Sequence, residues 1–279
     1  MITEQQKIER LLGIGGSDMP IIMELSSYKT PYQLYLEKIG STEISYEMTE
    51  AQYWGHKHEP TIRKEFEERH HVTVETPDTL IHPDYSFLRG NLDGFIPSYN
   101  AVLEIKTHSE FAASEWGAEG TNAIPRAYLV QVAHYCIITN ADCAYIAVLI
   151  GNGKYREYKY TRDAEFENRI LNAAKDFWNC VQTKTPPKLK DEHDVRLMFP
   201  IHEEDKQVIA SNEIEKQFTN LTETRFQLKM LGDVEEKYKF NIMKHMKDAE
   251  ALVDNSGQIL ATFKTNKRGS RTFLIKGLH

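Results

Sequence analysis

Apolar positions along this chain follow two periods, and the switches between them mark out its elements. Residues 3–12 carry apolar side chains at helical spacing and stop at Gly13. Met19 to Met23 continues as a short helix. Tyr28-Lys29-Thr30-Pro31-Tyr32 opens another, with Pro31 in its first turn, Leu34, Tyr35 and Ile39 on its apolar side and Gly40 as its stop. Thr49 to His71 reads as a long amphipathic helix with Tyr53, Trp54, Ile62 and Phe66 inward, interrupted only by Pro60. The period then changes to that of strands: Val72 to Glu75, Leu80 to His82, Phe87 to Ile96 with a break near Arg89-Gly90, and Ala101 to Thr107. Residues 109–124 form a loop with a short helix at Ser109 to Glu115. Pro125 opens a helix through Thr139. Asp142 to Ile150 and Lys154 to Tyr160 pair as a hairpin about Gly151-Asn152-Gly153. Asp163 caps a helix to Thr183, with Phe166, Ile170, Ala174 and Phe177 inward.

Thr185-Pro186-Pro187 ends that pattern and begins a linker-like stretch. Residues 204–250 are long and helical. Ile214, Phe218, Leu221, Arg225 and Leu228 fall at alternating spacings of four and three, a short coiled-coil-like seam with one polar member, and Gly232-Asp233 is expected to break or turn it. Ala251 to Ile275 reads as strands, with turns at Asn255-Ser256-Gly257 and Lys267-Arg268-Gly269. The expected division is a core at 1–190 and a helical and hairpin appendage at 191–279. Internal repeats and low-complexity segments are lacking.

Composition narrows the class. The chain has 279 residues, 41% hydrophobic and 27% charged, enough for a sizeable core in a soluble globular protein. A net charge of -7 argues against a protein that coats nucleic acid everywhere, but leaves room for a local basic channel. Cys136, Cys143 and Cys180 form no Cys-x-x-Cys pair, which argues against a zinc ribbon or redox dithiol. Cys136 and Cys180 lie in apolar runs and read as small buried hydrophobes. The N-terminus has no signal-peptide pattern, and no apolar run is long enough to span a bilayer. The expected location is the cytoplasm, with no membrane. His56, His58, His70 and His71 suggest a metal cluster at first sight, but are spread around their helix and read as surface residues.

The candidate chemistry centres on Val102-Leu103-Glu104-Ile105-Lys106-Thr107. On a strand, Glu104 and Lys106 share one face, and Ile105 points the other way into the core. A hairpin with Arg89-Gly90-Asn91-Leu92-Asp93-Gly94-Phe95 brings Asp93 beside Glu104, and Glu59 on the long helix supplies a third acid. Mg²⁺ takes oxygen ligands of this kind. Asp93 and Glu104 can hold one ion with the Ile105 carbonyl, and Glu59 can add to it or to a second. Lys106 would orient or deprotonate an attacking water, or offset phosphorane charge. A second feature is Gly13-Ile14-Gly15-Gly16-Ser17-Asp18. Its glycines let backbone N–H groups approach a ligand, Ser17 or Asp18 can cap the next helix, and Arg10 supplies charge, the makings of a phosphate site. Lys264, Lys267, Arg268, Arg271 and Lys276 make the densest basic patch, read either as a solvated hairpin or as DNA contact.

These residues in combination resemble the YqaJ-type viral recombinases, relatives of the lambda exonuclease within the PD-(D/E)XK nucleases. The motifs that carry the likeness are Gly13 to Asp18, Ser27 to Pro31, Gly55 to Glu59, Gly90 to Gly94, Leu103 to Lys106 and Gln131-Val132-Ala133-His134-Tyr135, joined by Asp248-Ala249-Glu250 and Thr265 to Arg271. Leu92 stands where the first motif usually has proline. The resemblance implies an α/β, restriction-endonuclease-like core with a mixed central sheet flanked by helices. It implies a Mg²⁺-dependent 5′-to-3′ exonuclease on linear duplex DNA, using one or two ions with Mn²⁺ as substitute. Such an enzyme leaves 3′ single-stranded tails for an annealing partner, in the bacterial host cell if phage-encoded. Glu59, Asp93, Glu104 and the Ile105 carbonyl would bind metal and Lys106 would be catalytic. Arg10, Gly16 and Ser17 would meet the terminal 5′ phosphate, and Gln131, with Tyr128 or Tyr135, would support the site. It also implies a ring-shaped homotrimer around DNA. Two alternatives stand beside it: a structure-specific endonuclease of the same superfamily, and a DNA-end-binding scaffold without catalysis. The iron–sulfur branch needs four cysteines, and this chain has 3.

Overall fold

The computed structural model describes residues 4–42, 48–151 and 153–277. The expected helix start at residue 3 and the turn residue Asn152 lie outside them. In chain order the elements are α1 (Glu4–Leu11), α2 (Met19–Ile22), α3 (Pro31–Lys38), α4 (Glu50–His70), β1 (Leu80–Ile81), β2 (Arg89–Gly90), β3 (Gly94–Ile96), β4 (Ala101–His108), α5 (Arg126–Thr139), β5 (Cys143–Ile150), β6 (Lys154–Thr161), α6 (Ala164–Thr183), α7 (Glu192–Met198), α8 (Asn212–Met246), β7 (Ala251–Val253), β8 (Ile259–Thr265) and β9 (Arg271–Ile275). Short 3-10 turns occupy Pro97–Tyr99 and Glu110–Glu115.

Local chemistry accounts for the boundaries. Thr30 and Thr49 each close a capping box, with Gln33 and Gln52 respectively, and Asp163 accepts from the Phe166 N–H to start α6. Pro60 sits inside α4 without ending it; it forfeits the bond to the His56 carbonyl, and the rest of the helix carries the cost. The expected strand at Val72 to Glu75 reduces to a single bridge between Glu75 and Phe95. The stretch from Phe87 to Ile96 divides into β2 and β3, its break falling at Asn91-Leu92-Asp93 rather than at Arg89-Gly90.

The chain forms two compact units, Met1–Ile201 and His202–His279. The expected border at 190/191 lies short of this one, because α7 docks on the first unit: buried Asp194 accepts from the Thr30 hydroxyl at 2.6 Å. In the first unit a four-stranded sheet runs β3-β4-β5-β6. Only β4 and β5 are parallel, so the sheet is mixed. One face packs on α5 and α6 through Val102, Ala144, Ile146, Val148 and Tyr158. The other packs on α4 through Ala101, Leu103, Ile105, Ile62 and Phe66. β4 is thus covered on both faces, and its polar side chains need internal partners. Tyr53 and Trp54, expected inward on α4, are 47% and 51% exposed; the first turns of α4 project beyond the sheet that Ile62 and Phe66 cover.

In the second unit α8 runs unbroken through Gly232-Asp233, 35 residues in all, so the expected break is absent. One glycine costs a helix about 1 kcal/mol, which a long helix absorbs. Ile214, Phe218, Leu221 and Leu228 are exposed along it. β7, β8 and β9 form an antiparallel sheet. Among the described residues no helix is long and apolar enough to cross a membrane.

His134 on α5 is fully buried; its Nε2 donates to the Arg89 carbonyl at 3.0 Å, which fixes the neutral tautomer, and its Nδ1 has no partner. Burial pushes the ring down to about 4, against the opposing pull of the Arg89 carbonyl. An unfolded histidine titrates near 6.5, so as pH falls from about 6.5 to 4 the unfolded chain binds a proton that the folded chain refuses. Stability is lost over that window, on the order of 3 kcal/mol at its end. We therefore expect the gap in urea midpoint between wild type and His134→Leu to narrow from pH 7 to pH 4.5. Parallel curves would show that His134 does not set this slope.

Candidate active site

The register of β3 on β4 builds the site. Gly94 pairs with Leu103, so Asp93 lies one step further along, opposite Glu104. The Ile105 N–H donates to Asp93 Oδ2 at 2.8 Å, a bond available because β3 begins only after Asp93. Glu104 and Lys106 do share a face: Lys106 Nζ and Glu104 Oε1 are 2.5 Å apart. Ile105 packs in the opposite cluster beneath α4.

Glu104 is 1% exposed. Both of its partners take the same oxygen: Lys106 Nζ and Gln131 Nε2, the latter at 2.7 Å, reach Oε1. Oε2 is buried with no hydrogen-bond partner. A buried carboxylate oxygen left unmatched is costly and calls for another cation or donor. Burial raises Glu104 above the ordinary carboxylate range, with Lys106 opposing. Asp93 is raised further, by burial and then by the Glu104 charge across from it. Burial works against the Lys106 ammonium, but Glu104 and Asp93 together outweigh it and hold it above the usual lysine range. Lys106 also lies 5.0 Å from the centroid of the Tyr128 ring. Tyr128 is set by stacking on Trp116 and by a 2.8 Å bond between its hydroxyl and His108 Nε2.

Of the residues expected to hold metal, the structure brings Asp93, Glu104 and Ile105 together. Glu59 stands beside them on α4 but turns to Arg63 at 3.3 Å and His56 at 3.4 Å. Arg63, absent from the sequence reading, also donates to the Asp93 carbonyl at 2.8 Å. The one available hint was its place four residues after Glu59. Among the described residues no three His, Cys, Asp or Glu side chains converge as a metal group. The donors that do converge are hard oxygens, one of them orphaned, which fits a hard divalent cation at Asp93 and Glu104.

Next to these acids lies a pocket of about 350 Å³ lined by Arg10, Gly15, Gly16, Ser17, Arg89, Asn91 and Tyr135, with Glu9 and Thr79 also on its wall. Arg10, Gly16 and Ser17 therefore share one cavity. The expected cap differs. Asp18 precedes α2 but makes no side-chain cap bond. Its carboxylate instead takes the Gly15 N–H at 2.9 Å, buried Lys38 at 2.7 Å and Arg10 at 3.5 Å. Burial alone would raise Asp18, yet Lys38 and Arg10 hold it below the usual range. Lys38 also donates to the Arg10 and Gly13 carbonyls, so it fastens the glycine turn. The four-residue α2 is too short for a strong helix dipole, so side chains and the turn's own N–H groups must supply any anion affinity. Tyr135 joins pocket to acids: its hydroxyl accepts from Gln131 Nε2 at 3.2 Å, and the same nitrogen bonds Glu104.

The expected basic patch lies in the second unit. Arg271 binds the Phe263 and Ala249 carbonyls at 2.8 and 2.6 Å, with the Lys247 carbonyl as a further acceptor, and stacks on the Phe263 ring. Lys264 pairs with Glu250 at 2.5 Å. Both are occupied in holding α8 to the sheet or the hairpin to itself. Lys267 and Arg268 remain exposed at the turn.

Strand order, register and the acid–acid–lysine set define the restriction-endonuclease-like PD-(D/E)XK fold class. A solved alkaline exonuclease, LHK-Exo from Laribacter hongkongensis, shares the fold at a TM-score of 0.52 and 16% identity, covering 65% of this chain and 94% of that one. The same enzyme in complex with dAMP matches at 0.52 and 17%, with 65% and 94% covered. Residues 7–142 match the YqaJ-like viral recombinase domain, so this part of the chain is similar to that family. The protein YqaJ of Bacillus subtilis (strain 168), described as uncharacterized, is 40% identical over 182 residues, 64% of this chain. The chain spans 56% of that relative's length.

Gly16 tests whether pocket and acids are one construction. A Cβ at Gly16 would fall 2.4 Å from Tyr135 Cζ, so Gly16→Ala must displace the ring. We expect a loss of about 1–3 kcal/mol by chemical denaturation. In a Tyr135→Ala background the added cost of Gly16→Ala should fall to near zero; an undiminished cost would mean that the two do not pack together.

Proposed function

We propose that this chain is a Mg²⁺-dependent exonuclease that degrades one strand of linear duplex DNA from its 5′ end. The observation that carries the reading is Glu104: a buried carboxylate with one unmatched oxygen, beside Asp93 and Lys106, linked through Gln131 and Tyr135 to the pocket lined by Arg10, Gly16 and Ser17. The fold shared with the alkaline exonuclease LHK-Exo supports it, as does the mononucleotide dAMP bound in one of that enzyme's structures.

Asp93, Glu104 and the Ile105 carbonyl would hold the cation. When bound it would polarise the phosphodiester and lower the pKa of a water. Glu59 would join after leaving Arg63. Lys106, displaced from Glu104, would face the reacting phosphate and orient the water or offset charge there. Gln131 fixes the Glu104 carboxylate, and the buried phenol of Tyr135 keeps its proton. Arg10, Ser17 and the glycine-turn N–H groups would take the terminal 5′ phosphate, placing the first internucleotide linkage at the acids. The 3′ tail would pass to a single-strand annealing protein, and the active species would be a homotrimer, checked by its mass in solution.

A 5′-labelled linear duplex decides among readings. Stepwise, Mg²⁺-dependent release of mononucleotides from the 5′ end is expected. Cuts in a closed circle would point to an endonuclease, and binding without cleavage in Mg²⁺ or Mn²⁺ to a scaffold. Lys106→Ala should lower cleavage by about 10³-fold or more while duplex binding persists, and substantial residual cleavage would remove Lys106 from catalysis. Mg²⁺ should raise the melting temperature of wild type but not of the Asp93→Asn, Glu104→Gln double variant. An equal rise in both would place the ion elsewhere.

A further inference from the structure

Building on that reading, we propose that Arg89 is a specificity-determining residue of the pocket. It supplies the second guanidinium by which the pocket selects a terminal phosphate monoester over the phosphodiesters inside a strand.

Arg89 is placed with unusual firmness for a surface-reaching arginine. Its N–H donates to the Ile14 carbonyl at 2.9 Å, and its own carbonyl accepts from buried His134 at 3.0 Å. Its stem lies along Gly13. A Cβ there would come within 2.9 Å of Arg89 Cδ and 2.4 Å of the Phe87 carbonyl oxygen, so the missing side chain of Gly13 is what admits it. The side chain reaches the wall of the cavity, and its Nε is buried with no hydrogen-bond partner. A buried guanidinium donor without an acceptor is costly in a finished fold and is satisfied when an anion enters.

Charge counting gives the ligand class. The Arg10 charge is shared with Asp18, which also binds Lys38, and Glu9 adds one negative charge to the wall. Among the described residues Arg89 makes no ion pair. Arg89 is thus a cationic group of the wall that is not committed to a carboxylate among the described residues. A phosphodiester carries one negative charge, whereas a terminal monoester carries about -1.5 to -2 and three acceptor oxygens at neutral pH. The forked guanidinium suits that group better than an ammonium. Arg89 is therefore the residue whose removal should cost most where the extra charge of the monoester is the point of discrimination.

The test reads binding, not turnover. In EDTA, the affinity of the full chain is measured for a duplex ending in 5′-phosphate and for the same duplex ending in 5′-hydroxyl. Wild type should favour the phosphate. In Arg89→Gln that ratio should fall about tenfold, and Arg89→Lys should recover part of it. An unchanged ratio in Arg89→Gln would overturn the proposal. So would an equal loss for both ends with a lowered melting temperature, which marks a purely structural role. Should wild type lack any phosphate preference, the 5′-end reading fails together with Arg89. Should it prefer phosphate yet release no nucleotides in Mg²⁺, the nuclease reading fails while Arg89 keeps its role.

Discussion

Everything in the first unit is arranged around a carboxylate that should not be where it is. Glu104 sits on a strand covered on both faces, where an isolated charge would be expelled or neutralised. The fold keeps it with two donors on one oxygen, an ammonium from the same strand and an amide from α5, and leaves the other oxygen without either. Asp93 opposite makes matters worse electrostatically, since two carboxylates in one low-dielectric space raise each other. Without a bound cation this is a strained balance, stable only because Lys106 offsets one charge. A divalent cation would offset two and release the lysine toward substrate. The unmatched oxygen and the paired acids would be the source of affinity for such a cation.

The pocket is not an independent feature attached to this centre. Ile14 pairs with the segment just before β2: its N–H reaches the Phe87 carbonyl at 2.6 Å and its carbonyl takes the Arg89 N–H. The glycine turn therefore rides on the same chain segment that four residues later delivers Asp93. Tyr135 closes the arrangement from the α5 side, its ring against Gly16 and its hydroxyl on Gln131. Lys38 ties the turn down through two carbonyls and Asp18. A phosphate held at the turn would then be placed relative to the acids by β-type pairing and packed aromatic contact, not by flexible loops.

Much of this was legible from residue order. The shared face of Glu104 and Lys106 follows from strand geometry alone, and the Asp93 pairing from the hairpin. The strands and helices of the core follow period and capping signals, as at Thr30, Thr49 and Asp163. Three things were hidden, each for a physical reason. Tyr53 and Trp54 obey helical period but lie beyond the end of the sheet, and period cannot report where the opposing layer stops. Asp18 looks like a cap because it precedes a helix; its true partner, Lys38, is twenty residues away and known only once α3 packs against the turn. Arg271 looks like part of a basic surface, yet its guanidinium finds carbonyls at the end of α8, a contact no local pattern encodes.

Glu59 shows how the same acid can be both a ligand candidate and a bystander. Its bonds to Arg63 and His56 lie in partly exposed positions, where an ion pair contributes about 1 kcal/mol or less. Glu104 has no such freedom, being buried and held by two donors. Entry of a cation beside Asp93 and Glu104 would change the field at Glu59 by far more than the Arg63 pair is worth, so the helix carboxylate is the part of the site that should move. Arg63 would stay, since it is anchored on the Asp93 carbonyl. The buried acids would then set where a cation goes, and Glu59 would adjust to it.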